Sequence, residues 1–409
     1  MPEVPGDKIQ HLGIGIGPRS SKHVNSKPTT AIVIAGIPVA DMSLYHRIRF
    51  LVGDPAAWIE LERDGERRST LMVRDIEMDR ARVTARADEV TCPAEFEPSG
   101  GLSGDRAIAT AQATAEFLVR HDIDRVVVHR DLPMLFADCL RERGIEVVCD
   151  RDLGVVDRRS KDAGEIEHLR HAQSVTESAV RLACEAIARA GVDSEGRLIH
   201  DGAVLTSEIV RSMVDLHLIN AGFLPRPAII AGGPMGADCH ELGTGPLRTG
   251  EPVIVDIFPQ DKKTRYNGDC TRTVVHGEVS GPLAAMHAAV VAARAASEAA
   301  TRAGVSGEAV HEAGIAEIRA RGFGVGLPPE GDVEYCGMVH GTGHGLGLEV
   351  HELPLLDFKG PELVVGDALT IEPGLYDARL GGIRVEDLVI VTAEGCVNAN
   401  ALPEGLDWR

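Results

Sequence analysis

The sequence predicts a smaller α/β domain followed by a larger α+β domain in which an order of helix, helix, strands occurs twice. Three observations predict it. Residues 30–150 alternate strand-like and helix-like runs. Beyond residue 160 come two pairs of helices, each pair followed by short strands, and helices set apart from antiparallel strands make an α+β domain. The chain has 409 residues, 44% hydrophobic and 25% charged, enough for two or three globular domains with substantial cores.

In order, "TAIVIAGIPVA", "AAWIELE" and "STLMVR" read as strands by their apolar alternation and β-branched content. An Ala-rich helix follows at about 104–120, then the strand "DRVVVH", a helix at about 131–143 and the strand "IEVVC". "RDLGVVDRRS" reads as a connector. A long helix is expected at about 163–191, opened by Asp162 and Glu165, whose spacing suits a capping box. Another lies at about 205–222. Strands follow near 228–231, at 252–258 ("PVIVDIF") and at 270–279 ("CTRTVVHGEV"). The order then recurs, with helices at about 283–302 and 306–321 and strands near 337–340, at 368–372 ("ALTIE") and at 383–391 ("IRVEDLVIV"). This gives an exposed arm at 1–28, an amino-terminal domain at 29–157 and a second domain at 158–409.

The formal net charge is −20, which argues against nucleic acid as a partner because phosphate binding needs clustered Lys and Arg. No run of 18 apolar residues exists, so no transmembrane helix and no membrane partner are expected. Eight widely spaced cysteines without a CxxC pair read as reduced thiols of a cytoplasmic protein. The Gly13, Gly15, Gly17 run has no preceding strand and meets Pro18, which argues against a dinucleotide loop.

The chemistry gathers in the second domain. Asp256 ends the apolar run "PVIVD" and Asp269 opens the next strand after the polar turn "PQDKKTRYNG". Antiparallel strands joined in this way lay both carboxylates side by side. Thr370 and Glu372 share one face of "ALTIE", and Arg384 and Glu386 one face of the following strand. Each acid alone reads equally well as a cap, a turn residue or a half-exposed strand residue, and Arg384 as a partner of Glu386. Their duplicated placement favours a site. Four facing carboxylates repel unless cations lie between them. Such a set with one imidazole suits Mn, Co, Zn or Fe, two ions sharing carboxylates.

The imidazole is offered by "HGTGHGLGLEVHE", which interleaves His340, His344 and His351 with glycines. The glycines exclude a helix, and with it the helical zinc motif. They suit a loop whose backbone approaches a site closely.

"IVDIFP", "GDCTRT", "HGTGHGLGLEVHE", "TIEPGLY" and "RVEDLVIV" together resemble the signature segments of the aminopeptidase P, prolidase, methionine aminopeptidase and creatinase superfamily, the pita-bread fold. The resemblance covers roughly residues 160–400, and the upstream segment is similar in size and pattern to the amino-terminal domain of the two-domain members. It implies that Asp256 chelates one metal and His344 the other, that Asp269 and Glu386 bridge both, and that Glu372 holds a metal and moves protons. His240, in "GADCHELGTG", matches a substrate-contacting histidine. His340 and His351 match those flanking the ligand histidine in proline-specific members, and Arg384 an arginine of the same branch. His11, His23, His121 and His311 read as structural.

The implied activity is a dinuclear metallohydrolase, manganese foremost, that removes the residue ahead of proline. It would act as an Xaa-Pro aminopeptidase on peptides or a prolidase on dipeptides, and as a homodimer. Glu372 serves as base then acid, and His240 and His351 stabilise the oxyanion. The alternatives are an ectoine-hydrolase-like amide hydrolase or a lyase on the same fold, and a non-catalytic binding protein. The turn between the aspartates is longer than in many aminopeptidase P sequences, which bears on substrate preference rather than on metal binding.

Overall fold

The computed structural model describes residues 30–63 and 65–409. The expected arm at 1–28, the Gly13–Gly17 run, His11 and His23 lie outside the described residues.

The first unit is a six-stranded sheet with helices on both faces. Its strands are β1 (Thr30–Gly36), β2 (Ala56–Arg63), β3 (Glu66–Met72), β4 (Glu89–Thr91), β5 (Arg125–His129) and β6 (Glu146–Asp150), in the spatial order β4-β3-β2-β1-β5-β6. Its helices are α1 (Met42–Ile48), α2 (Met78–Thr84), α3 (Arg106–Arg120) and α4 (Met134–Glu142). Alternation along β1 sends Val33 and Ala35 to a core under α3 and α4, and Ile34 to a core under α1 and α2.

The second unit opens with α5 (Ala163–Ala188), and the capping box of Asp162 and Glu165 is present. A small sheet of β7 (Gly191–Val192), β8 (Leu198–His200) and β9 (Ala203–Val204) leads to α6 (Ser207–Asn220). Then come β10 (Phe223–Leu224), β11 (Ile229–Gly232), β12 (Pro252–Ile257), β13 (Gln260–Asp261) and β14 (Cys270–Val275), of which β11, β12 and β14 form an antiparallel sheet. After α7 (Gly281–Ala300) and α8 (Gly307–Ala320) come β15 (Gly324–Val325), β16 (Cys336–Met338), β17 (Gly343–Gly345), β18 (Glu352–Leu356) and β19 (Ala368–Ile371). The last four strands are β20 (Gly374–Asp377), β21 (Gly381–Arg384), β22 (Asp387–Val391) and β23 (Cys396–Asn398). The two halves join where the Glu386 amide donates to the Thr271 carbonyl at 3.1 Å and Thr273 Oγ1 bonds both the amide and the carbonyl of Arg384 at 3.0 Å.

Four expectations need correction. "IRVEDLVIV" is not one strand: β21 pairs with β20 in one sheet, and β22 with β19 in another. The chain changes partner at Val385–Glu386, where its backbone turns to bond β14. "CTRTVVHGEV" stops at Val275, before Gly277 takes a positive φ of 86°. The short helices α1 and α2 and the strand β4 were not expected. Arg384 does not pair with Glu386; its Nη2 lies 2.6 Å from Asp256 Oδ2.

The turn between Asp256 and Asp269 fastens the two units. Tyr266, 1% exposed, sends its hydroxyl to Glu165, which also accepts from Arg49 at 2.6 Å and faces His46 at 3.1 Å. Arg49 bonds the same hydroxyl at 3.1 Å. The connector adds Lys161 to Glu352 at 3.0 Å, Arg158 to Glu349 at 2.7 Å and Arg159 to Asp367 at 2.6 Å.

Burial alone would raise the Glu165 carboxyl, but His46, Tyr266, the Asp162 amide and Arg49 hold it well below the usual range. A carboxyl depressed on folding contributes stability that is fully present above its unfolded value, about 4.3, and is lost as pH falls from there towards the depressed value. Urea unfolding at pH 7 and pH 3 should therefore show Glu165→Gln costing about 1–3 kcal/mol at pH 7 and distinctly less at pH 3. An equal cost at both pH values would contradict this role.

Candidate metal centre

Asp256 lies on β12 opposite Thr271 of β14, and Asp269, two residues before Thr271, points to the same face. Glu372 follows β19. Ile371 pairs with Asp387, so the next step of that antiparallel register sets Glu372 opposite Glu386. Of the four acids only Asp256 is inside a strand; the others stand at strand ends, where the backbone leaves the sheet.

His344 is on β17. Its amide donates to Thr370 Oγ1 at 3.1 Å. The glycines beside it answer to close backbone approach: a Cβ at Gly343 would stand 2.0 Å from the Thr370 carbonyl oxygen, and one at Gly345 2.4 Å from that of Leu353. The Glu372 amide bonds the Thr342 carbonyl at 2.7 Å, tying this loop to the glutamate.

The structure brings these residues together. Ligand atoms of Asp269, His344 and Glu386 lie within 4.8 Å of one another. His344 Nε2 is 3.3 Å from Glu372 Oε1 and 3.9 Å from Asp269 Oδ2. His344 Nδ1 is 3.0 Å from the Gly345 carbonyl, so Nδ1 carries the proton and Nε2 presents its lone pair to the carboxylates. Burial pushes the carboxyls of Asp269 and Glu386 well up, and repulsion from neighbouring acids adds to it. Burial also raises Glu372, against the opposing influence of His340 and Arg384. The His344 imidazole is pushed down by burial.

A cavity of about 350 Å³ opens on this cluster and is also lined by His240, His340, His351 and Arg384. His340 Nδ1 bonds the Gly341 carbonyl at 2.7 Å, so its Nε2 accepts from Tyr376 at 2.7 Å. The Tyr376 oxygen in turn accepts from Arg384 Nη1 at 2.9 Å. The His351 ring stands edge-on to that of His344, centroids 4.4 Å apart. His240 is exposed at the rim; the carbonyl of the adjoining Cys239 accepts from Arg384 at 3.2 Å. His311 is buried and bonds Thr342, while His121 stacks on Phe117 in the first unit.

Sequence reasoning missed Tyr376, Thr271 and Thr342. Thr271 Oγ1 donates to Glu386 Oε2 at 2.7 Å. Tyr376 ends the segment "TIEPGLY", two residues after Gly374, so its alternation with Gly374 on β20 was the available signal.

The profile of metallopeptidase family M24 matches residues 167–393. The chain belongs to that family. The chain is 40% identical over 181 residues to the probable dipeptidase PepE of Mycobacterium tuberculosis, an alignment covering 44% of this chain and 45% of the relative. It is 28% identical over 250 residues to the Xaa-Pro dipeptidase of Pyrococcus furiosus, covering 60% and 63%. The matches thus span about half to under two thirds of these curated relatives. The Xaa-Pro dipeptidase structure from Bacillus anthracis superposes with a TM-score of 0.75 at 23% identity, covering 92% of this chain and 94% of that one. The Pyrococcus horikoshii prolidase gives 0.72 at 22%, covering 92% and 95%. These establish the pita-bread fold with an amino-terminal α/β domain.

M24 membership implies a dinuclear metal centre, and the residues fit one. Asp256 Oδ1 is buried with no hydrogen-bond partner, and the His344 lone pair faces acceptors only. Buried acceptors left without donors cost roughly 1–3 kcal/mol each, more when charged, and cations remove that cost. Purified protein should hold up to two divalent ions per chain, and Asp269→Ala should hold fewer by elemental analysis. Unchanged stoichiometry in that variant would remove Asp269 from the ligand set.

Proposed function

We propose that the chain is an Xaa-Pro peptidase, which frees the amino-terminal residue ahead of proline. The observation that carries it is His240, His340, His351 and Arg384 set around a five-residue ligand set in one cavity. The Xaa-Pro dipeptidases and prolidases among the relatives support it. In this reading Asp256, Asp269, His344, Glu372 and Glu386 hold two divalent ions, manganese foremost, since carboxylate-rich sites with one imidazole suit it. Bound there, the ions supply Lewis acidity and a nucleophile usable at neutral pH.

The chain's own residues do the rest. Glu372, its carboxyl raised by burial, takes a proton and returns it to the leaving nitrogen. That nitrogen belongs to proline and has no N–H, so it must gain a proton to leave and offers the enzyme no donor. His351, pushed down by burial and neutral near pH 7, keeps an N–H to give the developing oxyanion, with His240 at the rim. Tyr376 and Arg384 keep His340 and Asp256 in place.

Metal-loaded protein should cleave Ala-Pro and Met-Pro better than Met-Ala. His351→Ala should keep both metals and lose about 10²-fold in kcat, the size of one oxyanion contact. Full activity of that variant, or preference for Met-Ala, would sink the proposal.

A homodimer is part of the same reading by fold analogy, and sedimentation at micromolar concentration should show it; monomer alone would contradict it. The eight free cysteines suit a reducing cytoplasm, and no helix among the described residues is long and apolar enough to cross a membrane.

A further inference from the structure

The cavity wall holds one more carboxylate, Asp357, just after β18. Its side chain is 43% exposed. Oδ1 accepts from the Phe358 amide at 2.7 Å, which shapes the turn. Gly341, next to His340, makes room for it: a Cβ there would stand 3.1 Å from both the carboxyl carbon and Oδ2. Behind it is His311 on α8, 2% exposed, with Nε2 buried, unpartnered and 3.8 Å from Asp357 Oδ1. The other ring nitrogen bonds Thr342 Oγ1 at 2.9 Å.

No cation in the surroundings answers this carboxylate. Burial pushes the His311 imidazole down, so near neutral pH it brings no charge. The guanidinium of the cavity, Arg384, is engaged by Asp256 and Tyr376. Lys and Arg partners within 4 Å of Asp357 are absent among the described residues. The cavity therefore carries a negative group outside the proposed metal ligands, recessed beside the loop that holds His340 and His344.

We propose that Asp357 is a substrate-binding residue that receives a cationic nitrogen of the peptide, either its free α-ammonium or the charged end of a basic side chain. The proposal rests on the peptidase reading above. A carboxylate on a cavity wall, half shielded from water, gains more from a complementary cation than a fully exposed one does, because water competes less for both. His311 lies too far to bond the carboxylate, and with Oδ1 on the Phe358 amide it is Oδ2, without a hydrogen-bond partner among the described residues, that faces the cation.

The test is D357N, which keeps the side-chain volume and the Oδ1 acceptor for the Phe358 amide and removes only the charge. D357S serves the same comparison should D357N not fold. The kcat/KM of metal-loaded wild type and variant is measured on Lys-Pro, on norleucyl-Pro, which lacks the side-chain charge, and on propionyl-Pro, which lacks the α-amine. The expected loss is about tenfold or more, the size of one charge-assisted hydrogen bond. Loss on Lys-Pro alone assigns Asp357 to basic side chains. Loss on both amino-terminal substrates but not on propionyl-Pro assigns it to the α-ammonium. An equal loss on all three, or none on any, with metal content unchanged, overturns the inference and leaves the peptidase reading intact. Failure of wild type to cleave any of them overturns both.

Discussion

Mutual repulsion among buried carboxylates governs the second domain. Asp256, Asp269, Glu372 and Glu386 line one cavity with Arg384 as its guanidinium. Each half of the domain contributes a pair of the acids, and the crowding becomes one of four carboxylates where the halves meet. The join is made by backbone and hydroxyl groups of Thr271 and Thr273, which need no charge of their own. Alternation divides neighbouring acids between two environments. Glu386 faces the cavity, while Asp387 turns the other way to Arg272 at 2.7 Å and Arg294 at 2.8 Å. The arginines behind the sheet thus answer Asp387, leaving the cavity acids, apart from the Asp256 oxygen on Arg384, to whatever cation enters.

The strand pattern and the paired acids were legible because apolar alternation and the duplicated spacing both reach into the sequence. The glycines of "HGTGHGLGLEVHE" could be read as close approach, and the contacts of Gly343 and Gly345 supply the partners. The break inside "IRVEDLVIV" was illegible, because its residues are buried along the whole run and give no mark where the strand changes sheet. Helix α1 carried a visible signal, Asp41 accepting from the Leu44 amide, but seven residues hold too little periodicity to stand out. The Arg384–Asp256 pair joins residues 128 apart in sequence, and no local pattern encodes such a choice of partner.

Arg384 connects the electrostatics to the chemistry. One end of its guanidinium balances Asp256 and the other orients Tyr376, which orients His340. A lysine at that position would carry the charge but could not hold both partners in one plane. The position of a proposed ligand and that of a cavity histidine are therefore set by a single side chain.

The end of the connector described earlier is held against the second unit by three ion pairs. Arg158, Arg159 and Lys161 each grip an acid of the second half, and the Lys161–Glu352 pair is almost wholly out of water. Removing one partner of such a buried pair costs about 3–5 kcal/mol, because the other charge is left buried alone. Tyr266 adds a second tie on the other side, through Glu165 and Arg49. Because Glu352 adjoins His351, the junction between the two units is anchored on the same stretch of chain that lines the cavity.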